Sequence, residues 1–211
     1  MASRPVSTSK TFVERHGLWT DEQTRAANAV AQAIKKHRLE LVRFAFADQH
    51  GVLRGKTVMA EDAAALMRSG VTMTTTLLVK DTAHKTAWPV FTPGGGLGMA
   101  EMQGAGDFVM VPDPATFRVL PWPTSGGNTD DGMPNTGWML CDIYFTNGKP
   151  VPFSTRQVLR EALARLGEAG FDFLAGLEVE FHLFRLENPR LTPAAATWPP
   201  RAPEVSLLNQ G

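Results

Sequence analysis

Gly176-Leu177-Glu178-Val179-Glu180-Phe181-His182-Leu183-Phe184 is the stretch from which the organisation of this chain is read most directly. Its strict alternation puts Leu177, Val179, Phe181 and Leu183 on one face of a strand, predicted to be buried, and Glu178, Glu180 and His182 on the other. Residues two apart on a strand are separated by roughly 7 Å. Two neighbouring carboxylates can therefore each hold a different member of a pair of divalent cations. Carboxylate oxygens suit Mg²⁺ or Mn²⁺, ions that neutralise the oxygens of a phosphoryl group during transfer. The same alternation describes a half-buried strand whose second face is simply solvated, and spacing does not choose between the two. His182 reads as a surface residue rather than a ligand.

Immediately upstream, Ser154 and Gln157 have the spacing of a capping box, and Gly170 is placed to stop the helix they open. Val158, Leu159, Ala162, Leu163 and Leu166 predict its buried face. The long strand expected after it covers residues 171–184. Residues 189–203 are proline-rich and read as extended and exposed. Asn147-Gly148 marks a turn before the helix, and the change from short strands with long loops to a clean helix and strand predicts a domain boundary between residues 145 and 152.

Further towards the N-terminus, Thr20 and Asp21 offer caps for a helix to about His37, with a thin stripe of Ala26, Ala29, Val30, Ala33 and Ile34. That stripe predicts close packing on a neighbouring surface or on another subunit. Residues 39–58 read as a β-hairpin, with Val42, Phe44 and Phe46 on one side and Asp48-Gln49-His50-Gly51 as its turn. A short alanine-rich helix begins near Glu61 and stops at Gly70. Residues 72–80, 108–111, 116–120 and 138–145 are strand candidates, and residues 121–137 have the composition of an exposed loop. No internal repeat is evident.

Lys plus Arg and Asp plus Glu are both 21, so no net field attracts a nucleic-acid backbone or an anionic membrane surface. Cys141 is the only cysteine, which excludes an intrachain disulfide and a cysteine-rich zinc cluster. The first ten residues are polar, with no apolar run of signal-peptide type, and no stretch reaches the ~18 apolar residues of a membrane span. A soluble, cytoplasmic protein is expected.

Residues 176–184 are similar to the Gly-x-Glu-x-Glu-Phe-x-Leu-Phe strand of glutamine synthetases. Other segments match that family in the same order. Residues 44–56, from Phe44-Ala45-Phe46 to Arg54-Gly55-Lys56, resemble its first hairpin. Residues 107–117, with Pro112-Asp113-Pro114 at their centre, look like the segment that closes its β-grasp domain. Leu140-Cys141-Asp142-Ile143-Tyr144 and Pro152-Phe153-Ser154-Thr155-Arg156 resemble the links into its catalytic domain. The resemblance covers about residues 39–187. It implies an α+β chain with a tail and helix (residues 1–37), a β-grasp domain (38–146) and the start of a glutamine synthetase-type catalytic domain (147–211), truncated at that point.

The activity implied is ATP-dependent joining of ammonia or an amine to the γ-carboxylate of glutamate through γ-glutamyl phosphate, with two or more Mg²⁺ or Mn²⁺ ions per complete site. By motif position Glu178 would bind the ion nearer the nucleotide and Glu180 the ion nearer glutamate. The resemblance identifies no catalytic or nucleotide-binding residue in this chain. It further implies homo-oligomeric rings, with each site built between two subunits.

There are two departures from the family pattern. The Asp-Gly-Ser-Ser loop that binds ammonium in glutamine synthetases is replaced by Val71-Thr72-Met73-Thr74-Thr75-Thr76-Leu77-Leu78. Asp81 is the nearest acid, although a lone loop aspartate is more often a turn former, and an amine larger than ammonia is the expectation. The chain also stops where the family's remaining ligands would follow, so residues 1–211 alone are expected to be inactive, with an unpaired sheet edge that favours self-association. The alternatives are a truncated paralogue that regulates or scaffolds a full-length ligase, and a small β-rich binding module whose glutamates face water.

Overall fold

The computed structural model describes residues 10–122, 135–188, 190, 192–197 and 201–208. The chain divides into two compact units, one running to Arg165 and the other starting at Leu166.

In the first unit, helices α1 (Phe12–His16), α2 (Asp21–Lys36) and α3 (Ala60–Ser69) surround a mixed sheet. Its strands are β1 (Leu41–Ala47), β2 (Leu53–Met59), β3 (Val71–Thr74), β4 (Asp107–Pro112), β5 (Arg118–Val119) and β6 (Thr136–Phe145). They run in the order β2-β1-β6-β4-β3, with β5 paired to β6. The β1–β2 hairpin is antiparallel, in a register that sets Ala45 against Gly55. β1 and β6 pair in parallel, whereas β6–β4 and β4–β3 are antiparallel.

The apolar side of β1, Val42, Phe44 and Phe46, is buried as its period of two requires. Phe46 meets Phe108 of β4 edge to face, with ring centroids 5.3 Å apart. Full burial of side chains such as Phe44 and Phe108 stabilises the fold by about 1.5–3 kcal/mol each. On β4 the alternation extends to both faces. Phe108 and Met110 join the main core, while Val109 and Val111 pack with Phe12, Val13 and Tyr144 in a second cluster. Covered on both sides, β4 reads as a continuous apolar run rather than an alternating one.

Helix α2 has a complete capping box, with Thr20 Oγ1 accepting from the Gln23 N–H at 3.2 Å and Gln23 Oε1 accepting from the Thr20 N–H at 3.1 Å. Its buried face is Ala27, Val30 and Ile34, one step round from the expected alanine stripe, and Ala29 is exposed. Val30 and Ile34 belong to both readings. With alanine on several sides, the apolar pattern alone marks the face poorly. The strand expected at residues 72–80 is divided into β3 and a 3-10 turn at Thr75–Val79. Residues 136 and 137 belong to β6 rather than to the preceding loop, most of which lies outside the described residues.

Two expectations for the C-terminal part are corrected. Helix α4 (Thr155–Glu168) forms, but its apolar face is open, with Val158, Leu159 and Leu163 exposed. The expected capping box is incomplete, because Gln157 Oε1 is buried without a hydrogen-bond partner among the described residues. The long strand at residues 171–184 is also absent. Only β7 (Phe184–Leu186) pairs, antiparallel to β8 (Val205–Leu207). Leu177, at 90% exposure, and Phe181, at 72%, lie on a segment without strand pairing. A ladder needs neighbouring backbone, and along this segment the described backbone contact at its far end is the Leu208 N–H donating to the Leu183 carbonyl at 2.8 Å.

Gly55 is fixed by close approach. A Cβ there would lie 1.9 Å from the Phe44 carbonyl oxygen. Gly55→Ala is expected to destabilise the first unit by about 1–3 kcal/mol, read as a lowered urea midpoint. An unchanged midpoint would contradict the packing described for the hairpin.

Candidate functional site

Between the strands of the β1–β2 hairpin, Asp48 organises the turn. Its Oδ1 accepts from the backbone N–H groups of His50 and Val52, each at 2.9 Å. Its Oδ2 accepts from Arg54 Nε at 2.6 Å. Asp48 is buried, and burial by itself would raise its pKa. The Arg54 hydrogen bond and the two backbone donors outweigh that effect and hold the carboxyl below its ordinary range.

The fixed turn projects two side chains onto the segment after β3. Gln49 Nε2 donates to the Leu78 carbonyl at 2.6 Å, and His50 Nε2 bonds the Lys80 carbonyl at 2.9 Å. A carbonyl can only accept, so His50 carries its proton on Nε2 in this contact. Arg54 reaches one segment further, donating from Nη1 to His84 Nδ1 at 3.1 Å.

These contacts frame a cleft of about 400 Å³. Leu78, Val79, Ala87, Trp88, Leu97 and Phe153 form its apolar walls, and Gln49, His50, Lys80 and Asp81 contribute polar groups. Leu97 has φ 59°, a left-handed conformation that costs a residue with a Cβ about 1–2 kcal/mol. The surrounding loop holds it there. Gly96 N–H donates to the Pro89 carbonyl at 2.8 Å and Gly104 N–H to the Val90 carbonyl at 2.7 Å. Val90 and Met102 anchor the same loop in the core.

A second constellation joins β4, β6 and α4. Arg160 Nη2 donates to both carboxylate oxygens of Asp142 at 2.8 Å, and Arg156 Nε donates to Asp142 Oδ1 at 3.0 Å. Arg156 Nη2 also pairs with Asp113, whose Oδ1 accepts from Gln23 Nε2 at 3.3 Å. Desolvation would lower the Arg160 pKa, but the hydrogen bond and charge of Asp142 raise it instead. Cys141 is buried, and its thiol is pushed up by burial first and by the Asp142 charge second, which leaves it poorly nucleophilic.

Glu178 and Glu180 lie in the second unit, exposed, on the unpaired segment, with exposed His182 two residues further on. Among the described residues no group of three or more His, Cys, Asp or Glu side chains is placed to hold a metal ion. The two glutamates therefore provide oxygen donors of the kind Mg²⁺ or Mn²⁺ takes, without a closed set. At the replaced acidic loop, Thr75 is fully buried and its Oγ1 has no hydrogen-bond partner among the described residues. Asp81, the nearest acid, lines the cleft.

No protein-family model matches the chain. It is 34% identical over 206 residues to a γ-glutamylanilide synthase from an Acinetobacter species, a match covering 95% of this chain and 39% of that protein. It is 30% identical over 168 residues to a glutamate–isopropylamine ligase from a Pseudomonas species, covering 78% of this chain and 32% of the relative. A glutamine synthetase from Mycobacterium tuberculosis is 42% identical over 79 residues, covering 37% of this chain and 17% of its own.

The chain belongs to the glutamine synthetase family.

Residues with family-like patterns thus acquire definite contacts. Asp48 and Arg54, both in the hairpin motif, bond to each other, while Asp113, Asp142 and Arg156, from three separate motifs, meet in one ion-pair network. The network was missed in the sequence. Arg156 and Arg160 are four apart on one helix face, and Asp142 interrupts an apolar strand, which together were its available signal. The cleft had no local signal, because its walls come from the hairpin turn, the 3-10 turn, the loop beyond it and Phe153. Among the described residues, no helix is long and apolar enough to cross a membrane.

Because the Asp48 carboxyl is depressed in the folded state, its stabilising contribution is present above the ordinary carboxylate value of about 3.9 and is lost as pH falls through the lower folded value. Asp48→Asn is expected to lower the melting temperature at neutral pH and to flatten its decline below about pH 4. Parallel acid-side melting curves for the two proteins would show that Asp48 does not carry this dependence.

Proposed function

We propose that the protein carrying this chain is an ATP-dependent ligase that forms a γ-glutamyl amide from glutamate and an amine or ammonia. The observation that carries the reading is the 34% identity to a γ-glutamylanilide synthase across 95% of the chain. That relative and the glutamate–isopropylamine ligase are named for amines bearing an aryl and a branched alkyl group. The chain spans 39% and 32% of their lengths.

In this reading residues 38–146 are a β-grasp domain, preceded by a tail and helix, and residues 147–211 open the catalytic domain. A γ-carboxylate oxygen of glutamate attacks the γ-phosphorus of ATP and ADP leaves. The amine nitrogen then attacks the activated carbonyl carbon, phosphate departs, and the nitrogen loses a proton. Glu178 would hold the divalent ion nearer the nucleotide and Glu180 the ion nearer glutamate. Such ions, when bound, neutralise charge on the transferring phosphoryl group and on the carboxylate. Ring assembly and a cytoplasmic location belong to the same proposal.

Purified protein carrying this chain should form ADP only when glutamate and an amine are both present, and Glu178→Gln and Glu180→Gln should each lower kcat/KM by about a hundredfold or more. Manganese binding, followed by electron paramagnetic resonance, should weaken in both variants. ADP formation indifferent to glutamate would reject the ligase reading. Unaltered manganese binding in both variants would reject the assignment of the two carboxylates.

A further inference from the structure

We infer that a groove on the β1–β2 hairpin, beside Trp138, binds an aromatic carboxylate, with Arg43 taking the carboxylate and Trp138 and Leu53 enclosing the ring. The groove shares no lining residue with the cleft at Leu78. The inference does not rest on the ligase reading.

Strand register places the groups. Alternation along β1 buries Phe44 and Phe46 in the core and sets Arg43 and Ala45 on the opposite face of the sheet. Arg43 stands opposite Thr57 of β2 and Trp138 of β6, and Trp138 in turn stands opposite Arg118 of β5. One arginine therefore flanks the tryptophan on each side, a strand spacing of about 4.8 Å away. In the next rung Ala45 pairs with Gly55, and neither brings a long side chain. Leu53 follows one rung further along, opposite Ala47. Small residues between larger ones leave a groove of about 330 Å³, lined by Arg43, Thr57 and Trp138 on one side and by Leu53 on the other.

Charge selects the ligand. Arg118 is turned onto its own chain, donating from Nη1 to the Phe117 carbonyl at 2.6 Å, and Arg54 is engaged by Asp48 and His84. Arg43 and Lys56, which both line the groove, make no ion pair among the described residues. A guanidinium matches the two oxygens of a carboxylate in one plane, and an indole beside it offers an apolar face to a second ring. Two cations without acids, next to a tryptophan and a leucine, are complementary to an anion with a flat apolar body. Inorganic phosphate would engage the cations and leave Trp138 and Leu53 unused, whereas a neutral ring would leave the charge unmet. A cavity of roughly 150 Å³ holds benzene, so a groove of about 330 Å³ has room for one ring and its carboxylate.

The test is titration of the purified protein with sodium benzoate, sodium acetate, benzyl alcohol, inorganic phosphate and ATP, followed by calorimetry at neutral pH. Benzoate should saturate and bind at least about fivefold more tightly than acetate, which lacks the ring, or benzyl alcohol, which lacks the charge. Arg43→Gln, at an exposed position, and Trp138→Leu, which stays apolar, should each weaken benzoate about fivefold or more while the circular dichroism spectrum is unchanged. Lys35→Gln, which removes an exposed charge of α2, should leave benzoate affinity within about twofold. Should Trp138→Leu alter the spectrum, the comparison of Arg43→Gln with Lys35→Gln decides alone. Absence of saturable benzoate binding, binding that Arg43→Gln retains, or an equal loss in Lys35→Gln would overturn the inference. Phosphate or ATP bound as tightly as benzoate and lost in Arg43→Gln would also overturn it, in favour of a phosphate ligand.

Discussion

Asp142 and Asp113 are carboxylates set into the packed end of a sheet, and a buried carboxylate is costly unless cations and donors meet it. Arg156 and Arg160 meet both, one by bridging Asp113 to Asp142 and the other by grasping the two oxygens of Asp142. The first two turns of α4 are thereby tied to β6 and to the turn after β4. Gln23 extends the same contact to the start of α2. The apolar stripe of α4 is exposed, and at its start Thr155 Oγ1 donates to the Ala47 carbonyl at 3.3 Å. Losing one arginine would leave an acid buried without its full set of partners, a larger penalty than losing a surface pair. The network also explains why segments with family-like patterns lie far apart in sequence: each contributes one charge to a common centre.

The cleft depends on a different constraint. Its hairpin turn is rigid because Asp48 accepts two backbone bonds and the Arg54 side chain, and that rigidity gives Gln49 and His50 fixed directions. Its opposite side is rigid because the loop through Leu97 is pinned at Val90 and Met102. Apolar walls between two fixed edges select a ligand by shape and by loss of hydration.

Much of this was legible in the sequence where local rules govern. The hairpin was evident because Val42, Phe44 and Phe46 keep a period of two up to a turn begun by Asp48. Helix α2 was found from Thr20, but its face was misplaced by one step because alanine lies on several sides. The exposed face of α4 and the segment at 171–182, which forms no strand, show the limit of pattern reading. Alternation states which residues would share a face, not whether a neighbour is present to cover it. Glu178 and Glu180 were legible as a pair of acids on one side of a strand, and the structure places them exposed on unpaired backbone. The ion-pair network and the cleft required the fold, since both assemble residues dozens of positions apart.

The central claim is that this chain belongs to a protein that activates glutamate as an acyl phosphate. The most direct measurement is positional isotope exchange, with ATP carrying a heavy-oxygen label in the β,γ-bridge and incubated with the protein and glutamate in the absence of amine. The account predicts that the label scrambles into the β-phosphate non-bridging positions only when glutamate is present, because reversible γ-glutamyl phosphate formation frees the ADP oxygens to rotate. Amide formation with no such exchange under conditions where ADP rotation is free, or exchange that does not need glutamate, would contradict it.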